Sequence, residues 1–478
     1  MIKKIVIFLL LINTVNAQTV EERVKKLEDR VTVLENKVDP KRWISVADGK
    51  FYDGDKEIKF WGVNFASPYS LNSREDRLDQ ALDQLKQMNC NMIRVLHWGG
   101  YQPTYEETLA NLNLLDRFVK KCSDRNIRIW LTFHHRQRLP QDFKDKDKIR
   151  VWDKMFSPRW GGAKQGEIGD FFFFDDYLLG LLRKHQEDIL THLNPLTGLK
   201  YIDDPTIAIV TVANEKWCHR MPMPVKPPAS GYSDVYWEKF NDYCRFNGLD
   251  PNKMKKPDIT RFQALRGKEV YSGLVKHIRE TGFKGVINCS SCFGDVPMTF
   301  LVEECGDAVD VHCYATPKGK LADGTFRYPD AFLMRSDYNF HRIVFDCRKK
   351  GKPVLTGEYS GVIESDGGSY ADTFLGSPDV VARSGVNGAF IYAAYSHEIN
   401  PEVNYPNEVY DAFKNANLVR NWWEAGKKFY SLEHRKRIEL FPRYEDFFGS
   451  GIGVNYYIPI PGTLNWIDLM ESQIVTPD

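Results

Sequence analysis

The sequence carries almost no excess charge of either sign. Its 65 lysines and arginines stand against 64 aspartates and glutamates, for a formal net charge of +1. No basic face is implied, so nucleic acid and anionic membrane are poor candidates as partners. Nor is there an apolar stretch near the N-terminus long enough to span a bilayer. In "MIKKIVIFLLLINTVNA", Lys3 and Lys4 precede an apolar run from Ile5 to Ile12, and Val15-Asn16-Ala17 follows it. That order predicts a cleaved secretory signal over residues 1–17 and a secreted or periplasmic protein. Taking Lys3 and Lys4 from the 65 leaves 63 basic against 64 acidic residues, a net charge of −1. A low-complexity linker is missing too, and so is a second CxxC. The nine cysteines form an odd set in an exported chain. Cys289 and Cys292 make one CxxC with Cys305 and Cys313 downstream, but Cys289 falls on a predicted strand. Packing or a disulfide is therefore expected in place of a zinc site, and no metal or cofactor is called for.

What is present is a large apolar complement. Over 478 residues, 42% are hydrophobic and 13% aromatic, enough for one large domain or two ordinary ones. Residues 18–38 place Val20, Val24, Leu27, Val31, Leu34 and Val38 at alternating spacings of four and three. This heptad seam predicts a coiled-coil helix over 18–39, ended by Asp39-Pro40, and a homo-oligomer, trimer or dimer, built through 18–38. A lone amphipathic helix folded back on the domain is the alternative, since three heptads are marginal.

From residue 57 the chain alternates between strand-like and helix-like patterns. The strands read "EIKFWGVNF" (57–65), "NMIRVLHW" (91–98), "IRIWLTFHH" (127–135), "TIAIVTVANE" (206–215), "GVINCSS" (285–291), "AVDVHCY" (308–314), "KPVLTGEY" (352–359) and "VNGAFIYAAY" (386–395). Between the early ones, Leu78, Leu82, Leu85 and Met88, then Leu112, Leu115, Val119 and Cys122, recur at helical spacing. Eight apolar strands joined by long crossovers imply a parallel sheet buried on both faces. Eight favours closure into an α/β fold of the (β/α)8 TIM-barrel type over residues 43–400. Residues 401–478 hold aromatics without clear periodicity and are expected to form a C-terminal appendage packed on the barrel.

In such a barrel the carboxyl ends of the strands line one mouth, where polar residues belong. Asn214 and Glu215 end the fourth strand and Glu358 the seventh. Arg94, His134, His135, His312 and Tyr314 supply polar groups on the second, third and sixth. Two facing carboxylates suit the cleavage of a glycosidic bond: one protonates the leaving oxygen and the other supplies electrons to the sugar carbon from the opposite face. An ionised Glu358 would raise the pKa of Glu215 and keep it an acid. Once Glu358 is esterified, Glu215 becomes more acidic and serves as base for water.

"ANEKW", "LTGEY", "IRV" on the second strand, His on the third and "HCY" on the sixth resemble the clan A retaining glycoside hydrolases, most closely the cellulase- and mannanase-like family 5. The resemblance runs from residue 43 to about 400. It implies Glu215 as acid/base and Glu358 as nucleophile, with Asn214 on the sugar 2-hydroxyl and Arg94 and Tyr314 orienting Glu358. His134 and His312 would line the central subsite, with His134 chosen over His135 by strand parity. Tyr395-Ser396 stands where the family usually shows Trp-Ser, so Tyr395 offers a smaller platform for a sugar ring.

Trp98 and Trp217 follow the second and fourth strands and suit sugar stacking or loop packing equally. Asp310, two residues before His312, faces the barrel layers by parity and needs a partner; no role follows from the sequence. The long connection 136–205, with Phe171 to Phe174, builds either a substrate wall or an anchor for an outer helix. The expected activity is retaining endo-hydrolysis of β-linked glucan or mannan. The alternatives are an exo-acting β-glycosidase on oligosaccharides and a non-catalytic carbohydrate-binding barrel on a coiled-coil stalk.

Overall fold

The structure, a computed structural model, describes residues 43–65, 75–87, 89–98, 105–133, 139–140, 142–155, 168–216, 218, 232–254, 256–289, 302–315, 351–361 and 386–394. The signal and heptad segments and residues 401–478 lie outside the described residues, as do His134, His135, Trp217 and Tyr395.

Eight parallel strands form one sheet: β1 (Phe60–Phe65), β2 (Met92–Trp98), β3 (Arg128–Phe133), β4 (Ile207–Thr211), β5 (Val286–Asn288), β6 (Val309–Ala315), β7 (Val354–Gly361) and β8 (Gly388–Ala394). Their order is β5-β4-β3-β2-β1-β8-β7-β6, so β8 pairs with β1 and the sheet curls on itself. The remaining seam, between β5 and β6, is bridged just before β6. The Asp307 amide donates to the Ile287 carbonyl at 2.7 Å, and the Ile287 amide donates to the Asp307 carboxylate at 2.7 Å. Arg279 holds that same carboxylate from outside. The ring is the expected (β/α)8 barrel, nearly closed.

The expected first strand divides in two. Lys56–Ile58 belongs to an antiparallel meander with Ile44–Ala47 and Lys50–Asp53, and only Phe60 onward enters the barrel. Asp48 and Gly49 both have positive φ, 49° and 70°, the two-residue hairpin turn that an Asp-Gly pair favours. The meander plugs one end of the barrel. Ile44 and Phe51 pack into an inner core with Phe60, Met92, Trp130, Ala208, Val286, Leu355 and Phe390.

A second core lies between the strands and the helices α1 (Glu75–Gln87), α2 (Tyr105–Asp124), α3 (Asp176–Leu190), α4 (Tyr232–Phe246) and α5 (Lys256–Glu280). Leu78, Leu82 and Leu85 of α1 and Leu112, Leu115, Val119 and Cys122 of α2 are buried there, as their spacing predicts. Phe171 to Phe174 are buried against Tyr232, Tyr236, Phe262 and Tyr271. They anchor α4 and α5. Burial raises the thiol pKa of Cys90, Cys122, Cys218 and Cys289, as packing residues require. Among the described residues no helix is long and apolar enough to cross a membrane.

Candidate active site

Arg94, fully buried, organises the barrel mouth. Strand register sets it beside Asn64 on β1 and Trp130 on β3. Its Nη1 donates to Glu358 Oε1 at 2.7 Å and to Asn64 Oδ1 at 2.8 Å, and Nη2 donates to Asn214 Oδ1 at 2.6 Å. One rigid fork thus ties together β1, β2, β7 and the end of β4, a task for which a planar guanidinium is suited and an ammonium is not. The Trp130 ring lies 4.9 Å from the guanidinium carbon and shields it from the core. Asn64 is held in turn, its Nδ2 donating to the carbonyls of Gly357 (2.8 Å) and Phe390 (3.2 Å).

Glu215 and Glu358 reach the mouth by different local devices. Beyond β4 the ladder continues through Val212 and Ala213, and the Asn214 amide still bonds the Phe133 carbonyl. Glu215 then adopts φ 52°, a left-handed conformation that costs a non-glycine residue about 1–3 kcal/mol and clusters at functional sites. On β7 a register shift does the work. Asp310 pairs with Leu355, but two residues later His312 pairs with Glu358, so β7 carries one extra residue and Glu358 is set opposite His312.

His312 joins the two carboxylates. Its Nδ1 lies 2.6 Å from Glu215 Oε1 and 3.5 Å from Glu358 Oε2. The ligating atoms of Glu215, His312 and Glu358 all lie within 4.8 Å of one another. Burial alone would push the imidazole pKa down. The negative charges of Glu358 and Asp310, followed by the close Asp310 and Glu215 carboxylates, outweigh it and push the pKa up to about 10. Three such groups are spaced to grip a cation. Arg94 already pairs with Glu358 at 2.7 Å there, and His312 Nδ1 with Glu215 at 2.6 Å, so an ion would compete with both contacts. The arrangement suits proton exchange between neighbours and attack by a carboxylate oriented by an arginine.

The structure brings together five residues expected from sequence: Arg94, Asn214, Glu215, His312 and Glu358. Trp98 and Tyr314 lie on β2 and β6 near their ends, with side chains outside the described set. Asn64 is an addition. It ends an apolar strand as Asn214 does, and the same rule applied to "GVNF" would have found it.

Residues 53–163 match the family model Cellulase (glycosyl hydrolase family 5). A protein of Oryza sativa subsp. japonica named as a mannan endo-1,4-beta-mannosidase is 38% identical over 85 residues, 15% of this chain. The chain spans 17% of the length of that relative. Among solved structures, an endo-1,4-beta-mannanase from Rhizomucor miehei superposes with a TM-score of 0.49 at 14% identity, covering 81% of this chain and 99% of its own. A beta-glucanase from Saccharophagus degradans gives 0.48 at 16% identity, covering 80% and 94%. The matched segment, residues 53–163, is similar to the cellulase model of glycosyl hydrolase family 5 and holds "IRV" and His134; "ANEKW", "HCY" and "LTGEY" lie beyond it.

Proposed function

We propose that the protein is a secreted retaining β-glycoside hydrolase that cleaves β-linked glucan or mannan polysaccharide by double displacement. The observation that carries this reading is the closeness of Glu215 and Glu358, one carboxylate oxygen of each lying within 4.8 Å of the other. Retaining enzymes hold the pair at about 5–5.5 Å, and inverting ones need a wider gap for water. Glu358, paired with Arg94 at 2.7 Å, is the nucleophile. It attacks the anomeric carbon while Glu215 gives a proton to the departing oxygen. Glu215 then takes a proton from the water that releases the sugar from Glu358. Asn214, oriented by Arg94, bonds the sugar 2-hydroxyl. His134, His312, Tyr314 and Tyr395, with Trp98 and Trp217, line the subsites.

The family segment supports β-glycan hydrolysis, and the name of the rice relative makes mannan the first substrate to try. A 2-deoxy-2-fluoro-β-mannoside or glucoside with a fluorogenic leaving group should release its fluorophore in one stoichiometric burst. Peptide mapping should then find the sugar ester on Glu358. A label on another residue, or product of inverted anomeric configuration, would overturn the reading. Sugar binding without any turnover would replace it with the carbohydrate-binding barrel.

A further inference from the structure

Beneath the two carboxylates lies a third acid that the mechanism above does not use. Asp310 is wholly buried on β6. Its Oδ1 accepts the Gly357 amide at 2.8 Å, at the extra residue of β7 immediately before Glu358. Its Oδ2 lies 3.3 Å from His312 Nε2 and 3.8 Å from Arg94 Nη2. Among the described residues neither Oδ2 nor Nε2 has a hydrogen-bond partner, so two buried polar atoms face each other with a small rotation needed to join them.

Gly357 is shaped to this carboxylate. A Cβ there would sit 2.3 Å from Asp310 Oδ1, so the acid occupies the place of the missing side chain. A carboxylate at this depth is costly unless charged and polar neighbours offset it, and a core position on a barrel strand is ordinarily apolar.

We propose that Asp310 is a positioning residue of this site: it pins the displaced backbone that aims Glu358, and it fixes the hydrogen of His312 on Nε2 so that Nδ1 exchanges a proton with Glu215. This rests on the reading of Glu215 and Glu358 as the catalytic pair. An ionised carboxylate only accepts hydrogen bonds, so the ring nitrogen facing Asp310 keeps its hydrogen and Nδ1 becomes the exchanging atom. One proton lies between Nδ1 and Glu215 Oε1. It moves to Glu215 as Glu215 protonates the glycosidic oxygen, the electron pair of the broken C–O bond staying on that oxygen. In the second half-reaction water gives a proton to Glu215, and Glu215 returns one to Nδ1.

Among the described residues the groups facing His312 are Glu215 beyond β4, Glu358 on β7 and Asp310 on its own strand, with Arg94 of β2 beside the last two. Asp310 is second only to Glu358 among the charges that raise the His312 pKa, consistent with the geometry.

The test is Asp310→Asn, which keeps an oxygen for the Gly357 amide but turns an NH2 toward Nε2 and so favours the opposite tautomer. On mannan or glucan kcat should fall about 10²–10⁴-fold with KM little changed, the range for losing a correctly protonated acid–base partner. On a 2,4-dinitrophenyl glycoside, whose leaving oxygen needs no proton, the loss should be under about tenfold. The alkaline limb of kcat/KM should move to lower pH. Equal losses on both substrates with an unmoved pH profile would leave Asp310 a structural residue and overturn the proposal. Ring ¹⁵N NMR of the unmodified protein tests the tautomer whether or not the variant folds: Nε2 should stay protonated from pH 5 to 9, and a bare Nε2 in that range would refute it. If the unmodified protein hydrolyses neither substrate class, the enzyme reading fails, and the NMR result still stands or falls by itself.

Discussion

Gly357 and Arg94 show how few residues set this site. At Gly357, any side chain must displace the Asp310 carboxylate, 2.3 Å from where its Cβ would stand. Gly357→Ala should therefore cost about 1–3 kcal/mol in denaturant unfolding, the range for overpacking a tight interior, and should lower activity by moving Glu358. Because the cause is that one contact, the cost should shrink in an Asp310→Ala background. Strict additivity in the double-mutant cycle would deny the coupling. Arg94→Lys keeps the charge but cannot reach Asn64, Asn214 and Glu358 at once. Leaving a buried acceptor without its hydrogen bond costs about 1–3 kcal/mol, and Glu358 would lose its orientation. Loss of turnover with a stability cost in that range is expected, and near-native kcat in Arg94→Lys would argue against the fork. The same residues mark what the sequence made legible. Arg94, Asn214, Glu215, His312 and Glu358 each interrupt an apolar strand, and an interruption is visible without coordinates. The partner of Asp310 was not visible, because it lies on another strand at a register shift that no local pattern encodes.

At the scale of elements, helical spacing and alternating strand segments placed α1, α2 and all eight barrel strands. Two things were harder to read. The break at Lys59 divides "EIKFWGVNF" between a meander and the barrel, because a continuous run of strand formers does not say which sheet each half joins. The four phenylalanines at 171–174 suited a substrate wall or a helix anchor, and only their burial against α4 and α5 decides for the anchor. The helix after them is capped by Asp175, whose carboxylate accepts the amides of Tyr177 and Leu178 at 3.0 Å each. Asp175→Ala should cost about 0.5–2 kcal/mol through the lost cap. It touches none of the groups around Glu358, so kcat should be unchanged. A fall in kcat at equal folded fraction would mean that α3 helps to shape the mouth.

At the scale of the whole molecule, two buried histidines with opposite displacements add opposite slopes to the pH dependence of stability. His312 has its pKa raised from an ordinary 6.5 to about 10, and His185 on α3, wholly buried with desolvation as its cause, has it lowered to about 3. Between pH 6.5 and about 10 the folded chain holds a proton on His312 that the unfolded chain has released. This contribution is complete below 6.5 and is lost as the pH rises, at about 1.4 kcal/mol per unit for a single proton. Between about 3 and 6.5 the unfolded chain holds a proton on His185 that the folded chain refuses, so stability falls as the pH falls. The two slopes meet near pH 6.5 and predict a maximum there, with paired carboxylates such as Asp79, its pKa lowered chiefly by its hydrogen bond to Lys121, steepening the acid side. Denaturant unfolding at pH 5, 6.5 and 8.5 measures the profile. His185→Phe should make the acid limb alone shallower, with the paired carboxylates still contributing, and Asp310→Asn should shorten the alkaline limb alone, with the larger charge of Glu358 still acting. Stability that climbs from pH 6.5 to 8.5 would mean that His312 is neutral in the folded barrel, and the charge arrangement around Glu215 and Glu358 would have to be rebuilt from a neutral imidazole.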